Sequence, residues 1–192
     1  SGNYVFDLEI TNSAGIKIYP KIGELELHDA PAFESSPELG SAYVRMIKVG
    51  NESSGTSVFS NIVVEVARTA DKPDKVILKI VDKNGVPFNP KAGEIQRRPS
   101  GTTFLQTLQD YSLKTDVFDD RMEFTYGTSP FPLNSLGNGF FIYYRIPTQY
   151  FSHDNQASYP DGQFSANPRF PFRCYLPGTY TITFKANSLT HK

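Results

Sequence analysis

The chain has no tryptophan, one cysteine and three histidines, and each shortage removes a class of chemistry. Cys174 alone forms neither an internal disulfide nor a cysteine metal site, so stability must come from packing. Its neighbour Arg173 would lower its pKa, but a lone cysteine among aromatics reads as a small buried hydrophobe. A Ser-His-Asp set needs an imidazole that reaches both a nucleophile and an acid. His28 and His153 each precede an aspartate whose side chain points the other way in an extended chain, and His191, beside the last residue, reads as mobile. No catalytic residue is expected.

Long apolar runs are missing too. None approaches the roughly 20 residues that a membrane-spanning helix requires, so no transmembrane segment is expected. Neither charge sign is in excess, with 19 Lys and Arg against 20 Asp and Glu, so no broad basic field attracts nucleic acid or an anionic membrane. Phosphate-loop, dinucleotide and zinc motifs are absent, and no cofactor is expected.

What the chain does have is aromatic residues: 15 Phe and 11 Tyr supply the large apolar surfaces that a core needs. They join a period-2 pattern. In "YVFDLEI", Tyr4, Phe6, Leu8 and Ile10 alternate with Asp7 and Glu9, which predicts a half-buried strand. Similar runs follow at 16–20, 24–28, 42–49, 60–68, 75–82, 121–127, 139–147 and 178–186, separated by Gly, Pro, Asn and Ser clusters. Asn84-Gly85 predicts a type I′ hairpin turn, with Pro87 confining the returning strand to an edge. The one helix expected is "FLQTLQDYSL" at 104–113, which also reads as strand plus turn.

Many short strands joined by turns imply a mainly β fold, an antiparallel sandwich or barrel. One domain over 1–192 is favoured. The alternative is two small β domains, 1–97 and 98–192, because 19 of the 26 aromatic residues lie after the Pro/Gly-bearing "QRRPSGT" segment at 96–102.

The stretch 150–178 reads as one 29-residue loop, and long loops are functional or act as covers over a core. Rings beside amide and carboxylate groups suit a sugar, whose C–H face stacks while its hydroxyls seek polar partners. Tyr150, Tyr159, Phe164, Asn155, Gln156 and Asp161 are therefore the candidate ligand-binding residues, while Phe170, Phe172 and Tyr175 read as core. Asp110, Asp116, Asp119, Asp120 and Glu123 offer enough hard oxygen for calcium, although a solvated acidic face paired with Lys114 and Arg121 explains them more simply.

"PGTYTITFKA" at 177–186 resembles the late strand of bacterial immunoglobulin-like domains. The wider mix of short strands with abundant Asn, Tyr and Phe and scarce Cys resembles exported surface lipoproteins of Bacteroidetes-type bacteria. That resemblance implies an immunoglobulin-like sandwich at the periplasmic or outer cell surface, a noncatalytic accessory anchored through a lipidated cysteine upstream. A glycan is the partner expected first. A structural or adhesion domain that contacts a surface protein through an exposed strand edge or aromatic patch is the alternative.

Overall fold

The computed structural model describes residues 2–29, 31–52, 55–58, 62–132 and 140–192. The chain divides into two units, Ser1–Pro31 and Ala32–Lys192.

The first unit is a single long hairpin, β1 (Gly2–Asn12) against β2 (Gly15–Leu27), closed at Asn12, whose Oδ1 accepts from Ala14 N at 2.9 Å. Two short strands were expected at 16–20 and 24–28, because Pro20 and Gly23 look like breakers. A bulge accommodates them instead: pairing shifts from Phe6↔Gly23 to Leu8↔Tyr19, Lys21 takes a φ of 52°, and its N–H donates to Asp7 Oδ1 at 2.7 Å.

The second unit is built from short strands. β3 (Phe33–Glu34), β4 (Tyr43–Lys48), β5 (Thr56–Val58), β6 (Ile62–Ala70), β7 (Lys75–Asp82), β8 (Pro99–Ser100) and β9 (Thr103–Phe104) come first. They are followed by β10 (Lys114–Val117), β11 (Met122–Thr125), β12 (Phe141–Tyr143), β13 (Phe151–His153), β14 (Phe164–Pro171), β15 (Arg173–Cys174), β16 (Thr179–Ala186) and β17 (Leu189–His191). Two sheets dominate, ordered β10-β11-β7-β16-β6 and β12-β14-β4-β5. Every pairing within them is antiparallel except β7 with β16, which run parallel with Ile182 opposite Leu78. The fold is mainly β, and helix among the described residues is confined to two 3₁₀ turns, Leu108–Tyr111 and Thr148–Tyr150.

Period-2 alternation explains the core. Val76, Leu78 and Ile80 of β7 and Tyr180, Ile182 and Phe184 of β16 are fully buried, as are Ala166 and Phe170 of β14 and Ile142 of β12. All of them belong to one apolar cluster drawn from both sheets, and Phe170 and Phe184 meet with ring centroids 5.8 Å apart. Strands on both sides of the 96–102 segment pair in each sheet, β7 with β16 and β4 with β14.

Three local expectations are revised. The turn after β7 is a hairpin, Asp82 N donating to Val86 O at 2.9 Å, but only Gly85 has a positive φ, 82°. Asp82 sets that geometry: its Oδ1 accepts from both Asn84 N and Val86 N at 2.8 Å, which holds Asn84 out of the left-handed region. The helix at 104–113 shortens to one 3₁₀ turn, since Phe104 and Leu113 are 60% and 77% exposed and only Leu108 of the presumed face is buried. The stretch 150–178 is not one loop, because Phe164–Pro171 forms β14 between β12 and β4. Pro168 and Pro171 hid this strand, yet Pro168 sits inside the sheet opposite Val44 and its carbonyl accepts from Tyr144 N at 3.0 Å.

Candidate functional site

Five of the six residues singled out at 150–164 gather around His153. Tyr159 tilts against its ring at 4.6 Å and meets Phe164 edge-on at 5.4 Å. The polar groups are engaged with one another: Gln156 Nε2 donates to Asp161 Oδ1 at 2.7 Å, Asp161 N donates back to Gln156 Oε1 at 3.0 Å, and Asn155 Oδ1 accepts from Ser158 N at 3.1 Å. Lys192 and Ser152 each contact Asp161 Oδ2 at 2.8 Å, and the lysine, then Ser152 and Gln156, hold that carboxyl at a pKa of about 2. Tyr150 stands apart, packed partly on the core with its hydroxyl 3.4 Å from Ala92 O. The segment is a cross-linked corner whose hydrogen bonds are largely made internally.

The other titratable candidates have structural partners. His191 is held in β17, not mobile: its Nε2 lies 2.7 Å from Glu94 Oε2 and its N–H donates to Asp82 Oδ2 at 3.0 Å. Cys174 is fully buried, its Sγ accepts from Phe131 N at 3.3 Å, and burial outweighs the Arg173 charge and pushes the thiol up to about 12. In the acidic stretch Asp110 pairs with Arg97, Asp116 with Lys114, Asp120 with Lys79 and Arg121, and Glu123 with Lys75 and Arg121. Among the described residues no three His, Cys, Asp or Glu side chains converge as a metal site would require.

A different constellation stands on the β12-β14-β4 face turned away from the core. Alternation that buries Val44, Met46, Ala166, Phe170 and Ile142 sends Tyr43, Arg45, Asn167, Arg169, Phe141 and Tyr143 to the other side. Register then assembles them, with Arg169 opposite both Tyr43 and Tyr143, and Asn167 opposite Arg45. The Arg169 guanidinium lies 3.4 Å from the Phe141 ring centroid and 4.8 Å from that of Tyr43, so these rings cradle a cation. Asn167, fully buried, fixes the strand edge by donating to Arg45 O at 2.9 Å and accepts from Arg145 Nε at 3.2 Å.

Arg98, from the segment before β8, comes in over Tyr143 at 5.8 Å and is only 7% exposed. Burial first, and then the charges of Arg45 and Arg145, pull its guanidinium below the usual arginine range, with the two tyrosines acting in the opposite direction. The Nε atoms of Arg45, Arg98 and Arg169 are buried and have no hydrogen-bond partner among the described residues. Against these four arginines the described residues set one ion-paired carboxylate, Glu52, on Arg145. Arg45, Arg98, Glu52, Ser100 and the turn glycines Gly50 and Gly101 line a cleft of about 630 Å³.

Guanidinium forks facing a cleft with too few carboxylates are suited to a planar or tetrahedral oxyanion, which each fork can grip with two parallel hydrogen bonds. Sequence reasoning missed this site. Tyr43-Val44-Arg45, Asn167-Pro168-Arg169 and Tyr143-Tyr144-Arg145 do carry alternation, but which cations become neighbours is a matter of register, and Arg98 lay in the presumed linker. Comparison of the chain with protein-family models, curated proteins and solved structures gives no match.

Proposed function

We propose that this chain is a noncatalytic binding module of an exported or cell-surface protein, and that its ligand is an acidic glycan held by carboxylate or sulfate groups in the Arg45/Arg98 cleft. The observation that carries this reading is Arg98: a residue only 7% exposed, beside the charges of Arg45 and Arg145, whose Nε has no hydrogen-bond partner among the described residues. Burying an uncompensated charge is costly, and an anionic ligand offsets that cost when it binds. The immunoglobulin-like reading is part of the same proposal. It is supported by two sheets that share one core and by the place of the "TYTITFKA" strand, β16, inside the larger sheet.

This reading moves the ligand site from the 150–164 corner to the outer sheet face. The test is isothermal titration with uronate and sulfated oligosaccharides and their neutral counterparts, at low and high salt. Charge-assisted hydrogen bonds contribute about 1.5–3 kcal/mol each, so Arg98→Gln should weaken acidic-glycan binding roughly 10- to 150-fold. Tyr159→Ala should leave it unchanged. Binding to neutral sugars that is lost on Tyr159→Ala would return the site to the corner, and no binding to any acidic glycan would overturn the proposal.

A further inference from the structure

We infer that the first unit is a self-association element, and that the partner covering its apolar face is the same face of a second copy of this chain. Register places Tyr4 opposite Leu25, Gly2 opposite Leu27 and Leu8 opposite Tyr19, so one side of the hairpin carries Tyr4, Phe6, Leu8, Ile10, Leu25 and Leu27. Each of these six is between 42% and 56% exposed. The Phe6 ring lies flat across Gly23, where an added Cβ would fall 2.5 Å from its Cζ, so the surface is continuous and nearly level. Lys17, opposite Ile10, interrupts it, its ammonium resting 4.7 Å over the Tyr19 ring.

A two-stranded ribbon with nothing on its apolar side is at best marginally stable in water, so this face calls for a cover. Its area suits a copy of itself. Ten cross-strand pairs along the eleven residues of β1 make a strip about 35 Å long and about 10 Å wide, which presents on the order of 500 Å² once side-chain relief is included. Two such strips stacked face to face bury on the order of 1,000 Å², the lower end of what a specific interface needs. A two-fold axis across the strip sets the hairpins antiparallel in the stack, which keeps the two Lys17 charges at opposite ends and lets apolar residues meet along the middle.

Charge argues against a lipid cover. The other face of the ribbon carries Asp7, Glu9, Glu24 and Glu26, which insertion of the apolar face would hold near an anionic headgroup layer. It carries Val5, Ile16, Ile18 and Ile22 as well, but Val5 lies opposite Glu24 and Ile18 opposite Glu9, so acids break up its apolar surface.

The test is sedimentation equilibrium of the full chain from low to high micromolar concentration, with two single substitutions. The wild type should show a monomer–dimer equilibrium. Leu8→Lys, on the apolar face, should weaken it at least tenfold, whereas Ile18→Lys, on the acidic face, should leave it unchanged. Circular dichroism of each variant checks that the sheets of the second unit remain intact. A monomer throughout the range would overturn the inference, as would equal effects of the two substitutions or Leu8-dependent co-sedimentation with phosphatidylcholine vesicles. Arg98→Gln should not alter the dimer, so this result stands or falls apart from the cleft.

Discussion

At the scale of single residues, Arg98 and His153 are both largely buried polar residues, and each leaves a buried nitrogen unpartnered among the described residues. For Arg98 the consequence is a trade between stability and binding. Replacing a buried charge that has no ion pair among the described residues by a side chain of similar length should be neutral or stabilising by about 1 kcal/mol. Arg98→Met should therefore hold or raise the urea midpoint while weakening anion binding as much as Arg98→Gln does, whereas a purely structural arginine would show the reverse. His153 Nδ1 accepts from Asn155 N at 2.9 Å, which places the proton on Nε2 in the neutral ring. Burial, only partly opposed by Asp154, holds its pKa below the ordinary 6.5. The folded state thus binds fewer protons than the unfolded chain as pH falls through that value. The contribution of His153 to stability is complete above about pH 6.5 and declines as pH drops toward its folded pKa. Urea midpoints should fall between about pH 7.5 and pH 5.5, and His153→Gln should flatten that slope. Neither group's environment was legible in the sequence, where His153 read as an ordinary surface histidine and Arg98 as part of a linker.

Elements follow the period-2 pattern wherever alternation is clean, as in β7 and β16, and depart from it where a backbone constraint intervenes. Gly178, ahead of β16, is one such constraint: its φ is 140°, and a Cβ there would stand 2.5 Å from Ala70 O and 2.9 Å from Arg68 Nε. Arg68 is in place because its guanidinium donates to Pro177 O at 2.8 and 3.1 Å, so the side chain that would have to yield is itself anchored. Gly178→Ala should cost about 1–3 kcal/mol, measured by chemical denaturation, with β16 the element displaced. A loss below about 0.5 kcal/mol would mean that the turn relaxes freely. The Pro-Gly-Thr-Tyr run was visible in the sequence as a strand entry, whereas the proline-bearing β14 was not, since local rules count its prolines as breakers and only its two neighbours show that the sheet tolerates them.

Across the whole molecule, the apolar cluster and the hydrophobic residues packed on it all come from Phe33 onward. A chain of residues 32–192 should therefore melt cooperatively at the temperature of the full chain and keep its affinity for anions, while losing self-association; thermal unfolding with sedimentation would check both. A marked drop in melting temperature would join the hairpin to the cooperative unit. By itself the sequence determined that this is a mainly β chain, because alternation of Phe, Tyr, Val and Ile with polar residues is local and follows from the pleat. It also marked Phe170, Phe172 and Tyr175 as core and Cys174 as a buried hydrophobe; the first two and Cys174 are fully buried, whereas Tyr175 is half-buried outside the apolar cluster because its hydroxyl donates to the Glu34 carboxylate. Tertiary structure alone decided which strands are neighbours, and so which outward residues meet. Arg45 and Arg98 lie 53 positions apart in the sequence numbering, and they share a cleft because sheet register and a returning segment bring them together, a long-range outcome that no period in the chain encodes.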